Sequence, residues 1–172
     1  MDFFDLVTQV IGLRSFSNLW YWIVLAILWS TLSHWVLGIP YDLVQRARAG
    51  DADSQRDVEA LAVISCRRIL NLAEVSGIAM VALSAFVVTS LAVLGWVYRV
   101  EFCQALVLLL LPLLAVTGLS IHTARGLVDS GFEDLAPRLR RHRLMVQGMG
   151  VMFIFLTAFW GMYVNLSVSR LY

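Results

Sequence analysis

Apolar residues in this chain recur in runs longer than a single buried helix face needs. Four segments match the roughly 20 residues a helix needs to cross a hydrocarbon core: Ser17 to Gly38, Ile69 to Val97, Phe102 to Thr123 and Leu144 to Leu166. The second is the longest, which predicts either tilt or a helix extending past the lipid. Pro112 falls in the middle of LVLLLLPLL in the third, where a kink keeps its neighbours helical. Ahead of the first segment, Phe3, Phe4, Val7, Val10 and Ile11 recur at helical spacing with Asp2, Asp5, Thr8 and Gln9 between them, the pattern of a short interfacial helix. The expected fold is an all-α integral membrane protein. It is a four-helix transmembrane bundle with a short N-terminal amphipathic helix, and residues 1–172 form one domain.

Polar residues collect between the spans, over about 39–68 and 124–143. The first stretch is turn-rich around AGDADS, and a helix is expected to start after Asp53 or Ser54 and run toward the second span, with Asp57 and Glu59 near its N-terminus. All 13 basic residues are arginine; ten lie in these two stretches, and only Arg14, Arg99 and Arg170 lie on the other side. The positive-inside bias therefore makes both stretches cytoplasmic loops and puts both termini outside, in the periplasm of a Gram-negative cell. Trp20, Tyr21, Trp22, Trp96, Tyr98, Trp160 and Tyr163 then mark the outer interface. The acidic N-terminus and the lack of an A-x-A site argue against a cleaved signal. A faint echo, Asp42-Leu43 to Arg48 and Asp134-Leu135 to Arg140, raises the question of a duplicated helical hairpin.

Composition agrees with lipid rather than water as the solvent. The chain is 60% hydrophobic and 15% charged, against roughly 25% charged in soluble domains. A net charge of +1 without a basic stripe gives no case for nucleic acid. Cys66 and Cys103 are too far apart for a CxxC site and fall on opposite sides of the membrane, so both are read as free thiols. Small residues along the second span (Gly77, Ala79, Ala82) and in QGMGVM (Gly148, Gly150) would let helices approach closely.

Candidate chemistry sits where polar side chains enter the spans, because such groups are costly in lipid. His34, Asn71, Glu74, His122 and Gln147 all fall toward the arginine-rich end and form one layer. Three readings compete. A b-type haem would take His34 and His122 as axial ligands on facing helices, with Arg125 at a propionate and Gly118 making room for the ring. A metal or proton path would use His34, Glu74 and His122, with Arg67, Asn71 and Glu74 sharing one face of the second helix. The third reading has these groups satisfied locally across the bundle, where they specify which helices pack together. No protease, nucleophile-elbow, P-loop or dinucleotide motif accompanies them, so no catalytic residue is assigned.

RSFSNLWYW, Arg14 to Trp22, followed by LSHWVLGIPYDLVQRAR, Leu32 to Arg48, resembles an uncharacterised family of alphaproteobacterial inner-membrane proteins. The resemblance covers the first quarter of the chain. It implies a bacterial inner-membrane location and carries no site residue with it. The expected role is an accessory, assembly or structural subunit of a larger inner-membrane complex, in contact with the bilayer and with a membrane-protein partner or further copies of itself. No cofactor is expected on this reading; a haem electron-transfer subunit and a small transporter or metal-binding protein are the alternatives.

Overall fold

A computed structural model of the chain describes Phe16 and residues 19–169, with side chains as far as Leu166. The interfacial helix expected over the first residues lies outside the described residues. Among those described there are five helices: α1 (Leu19–His34), α2 (Tyr41–Arg48), α3 (Ala52–Ala92), α4 (Glu101–Asp129) and α5 (Leu135–Ser169). A two-residue hairpin, β1 (Trp35–Val36) and β2 (Ile39–Pro40), joins α1 to α2. Three helical stretches are long and apolar enough to cross a membrane: Ala52–Val97, Glu101–Asp129 and Leu135–Leu166.

The first expected span, 17–38, ends earlier as a helix, at His34. Gly38 and Pro40 explain the stop. Pro40 disfavours helical backbone at Ile39, and the turn needs positive φ at both central residues, 52° at Leu37 and 81° at Gly38, the conformation of a tight two-residue hairpin. Leu37 accepts that unfavourable backbone while its side chain is buried. At 16 residues α1 is shorter than the other three long helices. It nevertheless runs antiparallel along α5: Phe16 lies against Gly161, Trp29 against Gly150, and Ser30, Thr31, Ser33, His34 and Trp35 share a notch with Arg143.

The two stretches read as loops are mostly helical. α3 has 41 residues and is about 60 Å long, twice the thickness of a hydrocarbon core. Its N-terminal part buries one residue every turn, Ser54, Val58, Ala62 and Cys66, against the hairpin, α2 and the ends of α4 and α5. Val36, Ile39, Val44, Leu127 and Leu139 complete this core. The result is a compact cap at the arginine-rich end. Arg138 closes it by donating from Nη1 at 2.9 Å to the Gly126 carbonyl in the last turn of α4, which also accepts the Ser130 N–H. Asp51 immediately precedes α3; its carboxylate accepts the Ser54 hydroxyl and is thereby held below the usual carboxylate range. The two echo segments differ in structure, since Asp42 to Arg48 lies in a separate eight-residue helix whereas Leu135 to Arg140 opens α5.

At the opposite end α3 closes in a π-helical turn, Val93–Val97, and the chain reverses through Arg99 at φ 58° into α4. Gln104 organises this corner. Its Nε2 donates to the Gly95 carbonyl at 2.6 Å and its Oε1 accepts from the Trp160 indole at 3.0 Å. A Cβ at Gly95 would stand 2.9 Å from the Gln104 side chain, so glycine is what permits the approach. The Glu101 carboxylate accepts the Phe16 backbone N–H at 2.7 Å, tying the start of α1 to the start of α4. Tryptophans expected at one interface do meet here, Trp96 and Trp160 at 5.6 Å between ring centroids. Pro112 is fully buried within a continuous α4. Cys66 and Cys103 are free and buried at opposite ends.

The two glycines of QGMG have opposite surroundings. A Cβ at Gly150 would lie 2.8 Å from the Trp29 ring, whereas one at Gly148 meets nothing within 4 Å. Gly150→Ala should therefore destabilise the detergent-solubilised protein by about 1–3 kcal/mol through overpacking. Gly148→Ala should be neutral or stabilising, by up to about 1 kcal/mol from helix propensity. Paired thermal unfolding curves check this, and equal effects at both positions would refute the α1–α5 contact.

Candidate functional site at the arginine-rich end

Six hydroxyl groups inside the apolar helices are satisfied within their own helix. Thr31, Ser76, Thr117, Ser120, Thr123 and Thr157 each donate to the carbonyl four residues earlier, at 2.8–2.9 Å. What remains for chemistry is the set of imidazole, guanidinium and carboxylate groups where the helices enter the cap.

The expected layer is present at this end but does not converge. α4 turns Val116, Ser120, Ala124 and Leu127 toward its neighbours, and a residue at 122 stands about 200° around the helix from 120 and from 124. His122 is accordingly exposed on the outer face of α4, and Arg125 is exposed as well. His34 is exposed at the end of α1, its ring edge-on to Trp35 at 5.9 Å. Two imidazoles set on outward faces of α1 and α4 do not clamp a haem between them, so the pairing of His34 and His122 with Arg125 is not what the fold builds. The metal alternative fails on the same ground. Among the described residues no group of three or more His, Cys, Asp or Glu could hold a metal ion, so His34, Glu74 and His122 are not a ligand set.

Asn71 and Glu74 do share a face with Arg67, as their spacing predicts. They line a groove of about 740 Å³ between α3 and the end of α4, together with Arg68 and Phe132. Glu74 has no ion pair there; the two side-chain pairs among the described residues, Arg46 with Asp42 at 3.0 Å and Arg56 with Asp53 at 3.7 Å, are exposed ones within single helices. Gln147 is half-buried on α5.

The histidine that the bundle buries is His142, only 2% exposed, which stands inside the arginine-rich sequence RRHR. Its Nδ1 lies 3.0 Å from the Thr123 hydroxyl, and that hydroxyl also lies 2.9 Å from the Leu119 carbonyl. A hydroxyl has one proton to give. With that proton on the Leu119 carbonyl, Thr123 accepts from Nδ1–H, so that in the neutral ring the lone pair falls on Nε2. The ring lines a cavity of about 430 Å³ between α1, α3, α4 and α5. Its polar lining is Ser65, Arg68 and Ser120, and its walls are apolar, among them Leu32, Ile69 and Val146. Such a cavity can receive an apolar group that brings one hydrogen-bond donor to Nε2.

Arg143, the next residue, forms a second feature. Its guanidinium lies 3.6 Å from the centroid of the Tyr41 ring, a cation–π contact worth about 2 kcal/mol where water is excluded. Its Nε is buried without a hydrogen-bond partner. The side chain lines a notch of about 420 Å³ with Ser30, Thr31, Ser33, His34 and Trp35. Neither His142 nor Arg143 stands out by residue type among so many arginines. The period identifies both: the seam Val146, Gly150, Phe153 and Thr157 on α5, continued backward by three and four residues, reaches Arg143 and His142.

The chain matches no protein-family model, and no characterised protein or solved structure shows significant similarity to it.

The Thr123–His142 contact makes a direct prediction. Thr123→Val keeps the shape but removes the acceptor of a buried N–H, and should cost about 1–3 kcal/mol. Thr123→Ser should restore most of it. Nitrogen chemical shifts of His142 should report protonated Nδ1 and unprotonated Nε2 in the native protein and lose that preference in Thr123→Val. An Nε2-protonated ring in the native protein would contradict the assignment.

Proposed function

We propose that this protein is an accessory or structural subunit of a bacterial inner-membrane complex and that α3 is the face it presents to its partner. The observation that carries this reading is that α3 buries no residue between Arg67 and Leu94, although both its ends are fixed, by the cap core at Cys66 and by Gln104 at Gly95. Along this stretch Val75 is 80% exposed, Ile78 90% and Phe86 70%. Lipid alone can cover apolar side chains. It is a poor solvent for Asn71 and the unpaired Glu74 at the head of the same rib, groups that a partner's donors would satisfy.

Four membrane crossings fit this reading. Phe16 lies against Gly161 and His34 shares the notch with Arg143, and α5 rises about 28 Å over the 19 residues from Arg143 to Gly161, close to the hydrocarbon thickness. The arginine-rich cap then belongs on the cytoplasmic side by the positive-inside bias, with both chain ends opposite.

Site-specific photo-crosslinking in native membranes tests the role. Benzoylphenylalanine in place of Ile78 should give one discrete adduct with a different membrane protein, and the same group at Phe159 on α5 should not. An adduct at twice the chain mass would replace the accessory role with self-association, and adducts with lipid alone at Ile78 would remove the docking role.

A further inference from the structure

We propose that the notch between the end of α1 and Arg143 binds a phosphate group, the chemistry shared by phospholipid headgroups and free phosphate. The guanidinium is the centre of the argument. It is oriented by the Tyr41 ring at 3.6 Å, and no carboxylate among the described residues pairs with it. A positively charged planar fork held in one orientation and left without a counter-ion is suited to the oxygens of a phosphate.

The rest of the notch supplies donors suited to the same ligand. Ser30 and Ser33 bring hydroxyls whose protons no described residue accepts, whereas the Thr31 hydroxyl is committed to the Ile27 carbonyl at 2.8 Å. His34 at the rim adds ring nitrogens. No acidic side chain lines the notch, so nothing in it repels an anion.

Its level in the fold favours a lipid as the source. Ser30 to His34 end the apolar helix α1, Trp35 is half exposed beside them, and Arg143 immediately precedes the apolar run of α5. That is the boundary where headgroup phosphates lie and where tryptophan and arginine settle. An acyl chain attached to a phosphate here can follow the exposed surface of α1 past Ile27 and Ile23, which are 61% and 49% exposed.

Native mass spectrometry of the full-length protein in mild detergent tests the proposal with three probes: dioctanoyl phosphatidylglycerol, dioctanoylglycerol, which has the same chains without phosphate, and inorganic phosphate. Phosphatidylglycerol should bind saturably and dioctanoylglycerol should not. Arg143→Gln should weaken phosphatidylglycerol at least about tenfold, the fold-change of one lost charge-assisted hydrogen bond. The charge-matched Arg141→Gln, at an exposed position, should leave binding unchanged. Should Arg143→Gln fail to fold, the Ser30→Ala and Ser33→Ala double variant leaves the Tyr41 contact intact and should weaken binding several-fold. Displacement of the lipid by inorganic phosphate, with the same dependence on Arg143, would support the site with free phosphate as an alternative source. Equal binding of dioctanoylglycerol, equal losses in the two arginine variants, or an unaffected double serine variant would overturn it.

Discussion

The seam that α3 forms in its first four turns, Ser54, Val58, Ala62 and Cys66, is the contact on which the rest of the arrangement depends. A helix of 41 residues cannot be hidden in a bilayer. Half of it must find another apolar surface, and residues spaced by four supply one narrow stripe for the purpose. The hairpin, α2 and the ends of α4 and α5 close over that stripe. Because α2 is held there, Tyr41 is in place for Arg143, and because the end of α4 is held there, Thr123 stands level with His142. The polar chemistry at this end is thus a product of cap packing rather than of the membrane helices alone.

Hydropathy made the long helices legible, since length and apolar content decide what can cross lipid, and the three longest stretches agree with it. It was blind to the boundary at His34. Residues 35–40 are as apolar as a span, and only Gly38 and Pro40 signal that the backbone turns there. The arginine-rich stretches read as loops for a related reason: charge density marks exposure to water, and a helix with one buried stripe and three charged sides is as hydrophilic as a loop. The buried spacing of four in α3 was readable, but its members are a serine, a valine, an alanine and a cysteine, which do not form an obvious apolar run.

The haem and metal readings depended on depth without azimuth. Depth along a span is a matter of counting, and it put His34, Glu74 and His122 at one level. Azimuth depends on which face of each helix is buried. For α4 that face was recoverable from the sequence, because Val116, Ser120, Ala124 and Leu127 make a coherent stripe and His122 lies across the helix from it. For α5 the same reasoning recovers His142, hidden by its basic neighbours. Gln104 was legible only as a polar residue near an interface, since its role rests on a π-turn and a glycine nine residues earlier that no periodicity announces.

The two ends of the bundle differ in the kinds of polar group they carry, and this bears on where a ligand or partner can act. At the Gln104 end several polar groups find one another, since Gln104 joins Gly95 to Trp160, the Glu101 carboxylate takes the Phe16 N–H, and the Trp22 indole donates to the Phe16 carbonyl at 3.2 Å, while the Trp20 indole N–H and the Tyr21 hydroxyl are buried without a partner among the described residues. Aromatic rings fill the space between them. At the arginine-rich end the groups are left with capacity to spare. In the neutral ring Nε2 of His142 carries the lone pair, and among the described residues neither Arg143 nor the outward-facing Glu74 has an ion-pair partner. A fold selected only for stability would gain by neutralising these groups, since unpaired polarity near an apolar phase is costly. At the arginine-rich end these groups stand beside open grooves, so a ligand or partner that reached them there would satisfy polarity that the chain itself leaves unmet.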